Sequence, residues 1–232
     1  MVKILALILL TVILAGCCSV PYEQGVPFQN EILAEQLRWN VANLYPSSFR
    51  TLHRGALTVD NKQFEMTGYL LVRQPGDIRL VTINDFGGVL FEIVSGKETA
   101  GRIIRNNTGI SRRRLNVSLP RDIFAVYLKR PSPCAALVRH KGDVVALVGK
   151  LRDGSVEEFL FDENTRRLKG YVFSKNACCL YQVTFSDYKL IPDWPTSPLP
   201  TNISIKDYRS NYRLELNVLK LTPDRLEDNL FE

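Results

Sequence analysis

Phe64-Glu-Met66-Thr-Gly68-Tyr-Leu70-Leu-Val72-Arg-Gln74-Pro75-Gly76-Asp-Ile78-Arg-Leu80 holds a strand, a turn and the start of a second strand. Phe64, Met66, Gly68, Leu70 and Val72 fall on alternate positions and so share one face of a strand. Gln74-Pro75-Gly76 then supplies a turn, after which a second strand begins. Working outward, Arg50–Val59, Gln63–Arg73, Asp77–Asn84 and Val89–Ser95 all read as short strands. Asp60-Asn61 suits a hairpin, Phe86-Gly87-Gly88 a third turn, and Gly96 introduces a further strand from about Glu98 to Arg105. Consecutive strands joined by tight turns argue an antiparallel meander, not a parallel α/β sheet.

The second half repeats the pattern. Strands are expected at Asp143–Leu151, Ser155–Phe161, Leu168–Ser174 and Cys179–Tyr188. A proline-rich crossing (Pro192, Pro195, Pro198, Pro200) leads to Asn202–Asp207 and Tyr212–Lys220. In the last run Leu214, Leu216 and Val218 alternate with Arg213, Glu215 and Asn217, giving one buried and one wet face. Two helices interrupt the strands. From Asn30 to Leu44, the residues Leu33, Leu37, Val41 and Leu44 form one apolar face, with Asn30 as N-cap and Pro46 near the end. Pro120–Lys129 reads as a short helix with proline in its first turn. The acidic tail, Asp224 to Glu232, is either a short terminal helix or a fraying end. The sum is a mainly β, α+β chain of about ten or eleven strands and two helices.

The N-terminus carries a different signal. Lys3 precedes an apolar run from Ile4 to Leu14, which ends in Leu14-Ala15-Gly16-Cys17. A charged start, a short apolar core and small residues make a secretory signal, too short for a membrane span of about 20 residues. The tetrad resembles the bacterial lipobox, after which the signal is cut and the cysteine is acylated. That likeness implies residues 1–16 as signal peptide and Cys17 as the lipidated, palmitate-bearing first residue. Residues 17–29 follow as a tether, and 30–232 as one domain. No aspartate stands at position 18, which in sorted lipoproteins favours the outer membrane, facing the periplasm.

Composition narrows the function. Losing Lys3 takes the formal charge from +6 to about +5, a mild and scattered excess that is no nucleic-acid signature. Four cysteines besides Cys17 stand in an oxidising compartment. Cys134 either bridges to Cys178 or Cys179, or all are free and buried as small apolar residues. No Cys-x-x-Cys spacing points to zinc, so no metal or cofactor is expected. His53 and His140 lie in separate regions without a zincin or nucleophile-elbow pattern, and each reads as a surface or strand residue. The chain offers no catalytic centre and is expected not to be an enzyme.

The order of elements, with Gly68 through Pro75 to Leu80, Asn84-Asp-Phe86-Gly87, and Pro200-Thr-Asn-Ile203-Ser-Ile205 before Tyr212–Val218, resembles the LolA/LolB superfamily. Those proteins are the periplasmic carrier and the outer-membrane receptor for lipoproteins. The resemblance implies a strongly curved antiparallel sheet, an open half-barrel, whose concave face is covered by the N-terminal helix and an internal helix. It also implies that Phe86 corresponds to an exposed apolar residue which the receptor uses at the membrane. The residues themselves allow Phe86 either to project from its turn or to fold back onto the core. The carrier's paired basic residues before the hairpin proline are here Arg73 and Gln74, so its lid contact does not carry over.

Two further sets of residues stand out. Phe64, Leu70, Phe91, Phe124, Tyr171, Phe173 and Phe185 line an acyl-binding cavity or form a closed core. Arg112-Arg113-Arg114 contacts anionic headgroups or sits in a solvated loop. The expectation is therefore a non-catalytic, outer-membrane-anchored lipoprotein that binds acyl chains or lipoproteins in an apolar cavity and takes part in envelope transport or sorting. Its partners are the membrane through the anchor, acylated lipids, and a periplasmic carrier or envelope protein, with no nucleic acid. The alternative is an envelope structural or interaction lipoprotein of the same fold with no open cavity.

Overall fold

The structure is a computed structural model describing residues 25–96, 101–140, 142–210 and 212–231, apart from the side chains of 113–116. The expected signal peptide, Cys17, Cys18 and most of the expected tether lie outside the described residues. Among the described residues, thirteen antiparallel strands form one sheet. They are β1 (Val26–Pro27), β2 (Ser48–Val59), β3 (Lys62–Arg73), β4 (Asp77–Ile83), β5 (Val89–Ser95) and β6 (Arg102–Asn106). After the internal helix come β7 (Ala136–His140), β8 (Val144–Lys150), β9 (Val156–Asp162), β10 (Leu168–Lys175), β11 (Cys178–Ile191), β12 (Trp194–Asp207) and β13 (Tyr212–Pro223). Helix α1 spans Glu31–Ala42 and α2 spans Arg112–Ile123.

The spatial order is β1-β7-β8-β9-β10-β11-β12-β13-β2-β3-β4-β5-β6, so the sheet stays open, with β1 and β6 at its edges. Two meanders, β2–β6 and β7–β13, join where the last strand pairs with the first long one: Leu214 lies opposite Leu57 and Tyr212 opposite Val59. The chain leaves β6 at one edge and re-enters at β7 near the other, so the connection has to cross the mouth of the curved sheet. That connection is α2. The topology therefore puts a helix over the concave face without any special sequence signal there.

Local chemistry explains the turns. Asp60 and Asn61 take positive φ of 49° and 62°, the two-residue hairpin geometry that matches strand twist. The Gln74–Pro75 peptide is cis in the next turn. Sharp coiling needs strands without side chains at close approach. A Cβ on Gly55 would lie 2.1 Å from the Glu215 carbonyl oxygen, and one on Gly170 would lie 2.7 Å from that of Val183.

Helix α1 forms as expected. The Asn30 side chain accepts from Leu33 N at 3.0 Å, and Leu33, Leu37 and Val41 are buried. Arg38 and Asn40 tie the helix to the β7–β10 side, donating to the carbonyls of Ala135 (3.0 Å) and Arg166 (3.2 Å).

Four expectations need correction. The strand count rises to thirteen, because Val26–Pro27, expected within the tether, pairs with β7, and β7 itself carried no clear signal. The proline-rich crossing is the first half of β12. Its prolines are accommodated because β13 pairs with β12 only from Asn202 onward, leaving one side of the segment without a ladder. The internal helix starts at Arg112, not Pro120, and continues as a π-helical turn, Phe124–Leu128. Pro120 stands inside it and supplies no N–H to the helix. Finally, Cys134 and Cys179 are free thiols, so no bridge joins Cys134 to Cys178 or Cys179, and Cys178 is disulfide-bonded otherwise. Three strands separate β7 from β11, each about 4.8 Å from the next, and a disulfide needs Cα atoms within about 7 Å.

Candidate functional site

The concave face is occupied by α2 and its π-helical extension. Leu119, Ile123, Val126 and Tyr127 point down into the sheet. Beneath them is a cavity of about 30 Å³ lined by His53, Gly55, Met66, Gly68, Leu70, Leu80, Thr82, Ile205, Leu214, Leu216 and the inward face of the helix, including Asp122. That volume suits a water or two and no acyl chain. Of the seven cavity candidates, only Leu70 lines it. Phe91, Tyr171 and Phe185 belong to the closed core, and Phe64 and Phe173 pack against it half-buried. Phe124 is 42 % exposed. Because the helix begins eight residues earlier than expected, its inward stripe runs through Leu119, Ile123, Val126 and Tyr127, leaving Phe124 on the outer side.

Polar groups hold this helix down. His53, expected to be a surface or strand residue, is a buried strand residue whose Nε2 shares a hydrogen bond with the Tyr127 hydroxyl. Burial lowers its pKa to about 4, although a hydrogen bond that the ring donates to the Gly68 backbone works the other way. Earlier in the helix, Arg121 donates to Asp207 Oδ2 at 2.7 Å and Asp122 Oδ1 at 2.9 Å, with its guanidinium 4.4 Å above the Tyr181 ring. Tyr181 also donates to Asp122 Oδ1, at 3.0 Å. Asp122 Oδ2 has no hydrogen bond of standard geometry, nor has the Tyr212 hydroxyl that faces this carboxylate. Burial raises the Asp122 carboxyl to about 6, and Arg121 only partly opposes it. Burial also works against charge on Arg121, but its two carboxylate partners prevail and its pKa is raised. A buried charged group survives only with such partners.

Sequence reading passed over this network. Arg121 and Asp122 look like solvated residues near a helix start, yet they sit between the apolar Leu119 and Ile123, which is the one hint that they are inside.

The turn between β4 and β5 is built differently. Asn84 Oδ1 accepts from Phe86 N (3.1 Å) and Gly88 N (2.8 Å), Gly87 N donates to Asn84 O (3.0 Å), and Gly87 takes φ of 79°. Braced in this way, the turn pushes Phe86 outward, 97 % exposed. An isolated, fully exposed phenylalanine has no packing role in the fold.

Arg112 begins α2 and is exposed, and the side chains of Arg113 and Arg114 lie outside the described ones. His140 Nε2 meets Glu158 Oε2 at 3.0 Å on neighbouring parts of the sheet. Among the described residues, no group of three His, Cys, Asp or Glu is placed to hold a metal ion, and no helix is long and apolar enough to cross a membrane.

No protein-family model and no curated protein matches the sequence. Solved structures do. A DUF1329 family protein from Desulfovibrio piger matches with a TM-score of 0.53 and 12% identity, over 85% of this chain and 95% of that one. A LolA superfamily protein from Nitrosomonas europaea matches at 0.49 and 12%, over 86% and 97%. A structure described as an outer membrane lipoprotein-sorting protein domain, from Vibrio parahaemolyticus, matches at 0.49 and 15%, over 87% and 95%. The likeness to the Desulfovibrio piger protein is one of fold. An open antiparallel sheet with helices over its concave face, the half-barrel arrangement expected from the sequence, is what this chain builds.

Proposed function

We propose that this chain is a lipid-anchored, non-catalytic protein of the bacterial outer membrane that handles acylated lipids or lipoproteins at the bilayer surface. The observation that carries the reading is Phe86, almost fully exposed on a turn stiffened by Asn84. A rigidly presented aromatic ring enters the headgroup region of a bilayer at no cost to the fold. The anchor at Cys17 would keep the domain at that surface, since several acyl chains hold a protein stably where one does not. The structural neighbours include one described as a lipoprotein-sorting domain, which agrees with this direction.

Cargo would be held by the concave face. With a cavity of only about 30 Å³, an acyl chain needs α2 to lift, breaking the contacts of Tyr127 and Arg121. The same filled cavity favours a second reading, an envelope interaction lipoprotein whose core stays closed. A fluorescent fatty acid separates the two. Saturable binding that competes with lipoprotein acyl chains supports cargo handling, whereas a folded protein that binds no apolar probe supports the interaction role.

A further inference from the structure

The chain has two tryptophans, Trp39 and Trp194, and both line the same groove. It lies between the C-terminal end of α1, the β9–β10 turn and the β11–β12 hairpin, and shares no lining residue with the cavity under α2 or with the Phe86 turn. Its volume is about 730 Å³, within the usual range of roughly 300–1,000 Å³ for ligand sites.

Three polar atoms of its lining are buried without a hydrogen-bond partner: the Tyr45 hydroxyl, Trp194 Nε1 and Arg166 Nη1. Tyr45 as a whole is only 4 % exposed. Each of the three can donate, and a buried donor left unmatched is unfavourable. Three of them on three separate segments ask for acceptors from outside. No Asp or Glu lines the groove.

The backbone that carries Arg166 is held in place, and two further arginines lie close by. Arg166 sits at φ 60° in a turn closed by its N–H to the Asp162 carbonyl (2.9 Å), while its own carbonyl accepts from Asn40 on α1 (3.2 Å). Arg167 stacks over the Tyr188 ring at 5.4 Å. Arg130 covers the Ala42 carbonyl at the negative end of α1, at 3.3 Å. Unmatched donors, neighbouring arginines and aromatic walls together fit an anion with several oxygens joined to an apolar body. A carboxylate has two oxygens for three donors, and a phosphate has more.

We propose that this groove binds a phosphate group, presented as the headgroup of an anionic lipid. The test uses the two tryptophans as reporters, titrating the full chain with dihexanoyl phosphatidylglycerol below its micelle concentration. Inorganic phosphate and the uncharged octyl glucoside are run in parallel. The expected result is a saturable change in tryptophan emission with phosphatidylglycerol. Binding should be at least tenfold weaker in Tyr45→Phe and in Arg166→Gln, which keeps the backbone contacts of its turn, with near-wild-type melting temperatures. Phe86→Glu should leave the titration unchanged, which separates this site from the proposed membrane turn. Equal affinity for inorganic phosphate supports a phosphate site but assigns it to the free anion. No saturable change with either phosphate compound overturns the proposal. So does equal binding of octyl glucoside, or undiminished binding in folded Arg166→Gln.

Discussion

His53 on β2 and Tyr127 on the π-helical turn are hydrogen-bonded to each other at the floor of the concave face, 74 residues apart in sequence. The contact joins the covering helix to the strand where the two meanders meet. It also sets up opposed titrations, because Asp122 lies in the lining of the same cavity.

His53 has a folded pKa of about 4 against 6.5 unfolded, so the unfolded chain binds more protons between those values and stability rises with pH across that window. Asp122 runs the other way. Its carboxyl is raised from 3.8 to about 6, so its contribution is complete below pH 4 and is lost as pH rises through about 6. The two largely offset each other in the wild-type protein. In Asp122→Asn, the histidine acts alone and stability should climb by roughly 3 kcal/mol from pH 4 to pH 7. Urea denaturation at several pH values checks this, and a flat profile in the variant would remove His53 as a buried neutral imidazole.

Arg121→Ala leaves buried Asp122 without its cation and Asp207 with Arg209 alone. Breaking a buried pair in this way costs about 3–5 kcal/mol. The loss should shrink in Arg121→Ala/Asp122→Asn/Asp207→Asn, where no uncompensated charge remains. Equilibrium unfolding of the two variants measures the difference, and equal losses would mean that the arginine acts through packing alone.

Gly55→Ala should destabilise the protein by several kcal/mol, well beyond an ordinary surface change. The added Cβ would meet the Glu215 carbonyl oxygen, a backbone atom of β13 that cannot swing aside. Gly87→Ala has open space around its Cβ and suffers only from positive φ, so its cost should be about 1 kcal/mol. Thermal melts rank the two, and a harmless Gly55→Ala would refute the close approach of β2 and β13.

Phe86→Glu should keep the wild-type melting temperature, since a 97 % exposed ring contributes nothing to the core. Binding to liposomes by the unacylated domain should fall at least severalfold. Co-sedimentation with vesicles provides the measurement, and unchanged binding would exclude this turn from membrane contact.

Cys17→Ala should abolish incorporation of radioactive palmitate and release the protein from the membrane fraction. Equal labelling of the mutant would eliminate Cys17 as the acylated residue.

Alternating side chains and turn residues were enough to read the meander. Phe64 to Val72, the Asp60-Asn61 hairpin and the Asn30-capped helix depend on local geometry, which the sequence states directly. The exposure of Phe86 was half legible. Its turn was visible, but the Asn84 brace that aims the ring outward needed coordinates. Three features came only from tertiary structure. Pairing of β13 with β2 joins segments about 150 residues apart, and no local pattern records a partner at that distance. That pairing, with β7 at the far side, forces α2 across the mouth of the sheet, burying Asp122 and half-burying Arg121, whose charge argued for solvent. The prolines of β12 look like a break because sequence shows the missing N–H but not the missing neighbour. Local propensity sets which elements form, and long-range burial decides which face each element shows to the others.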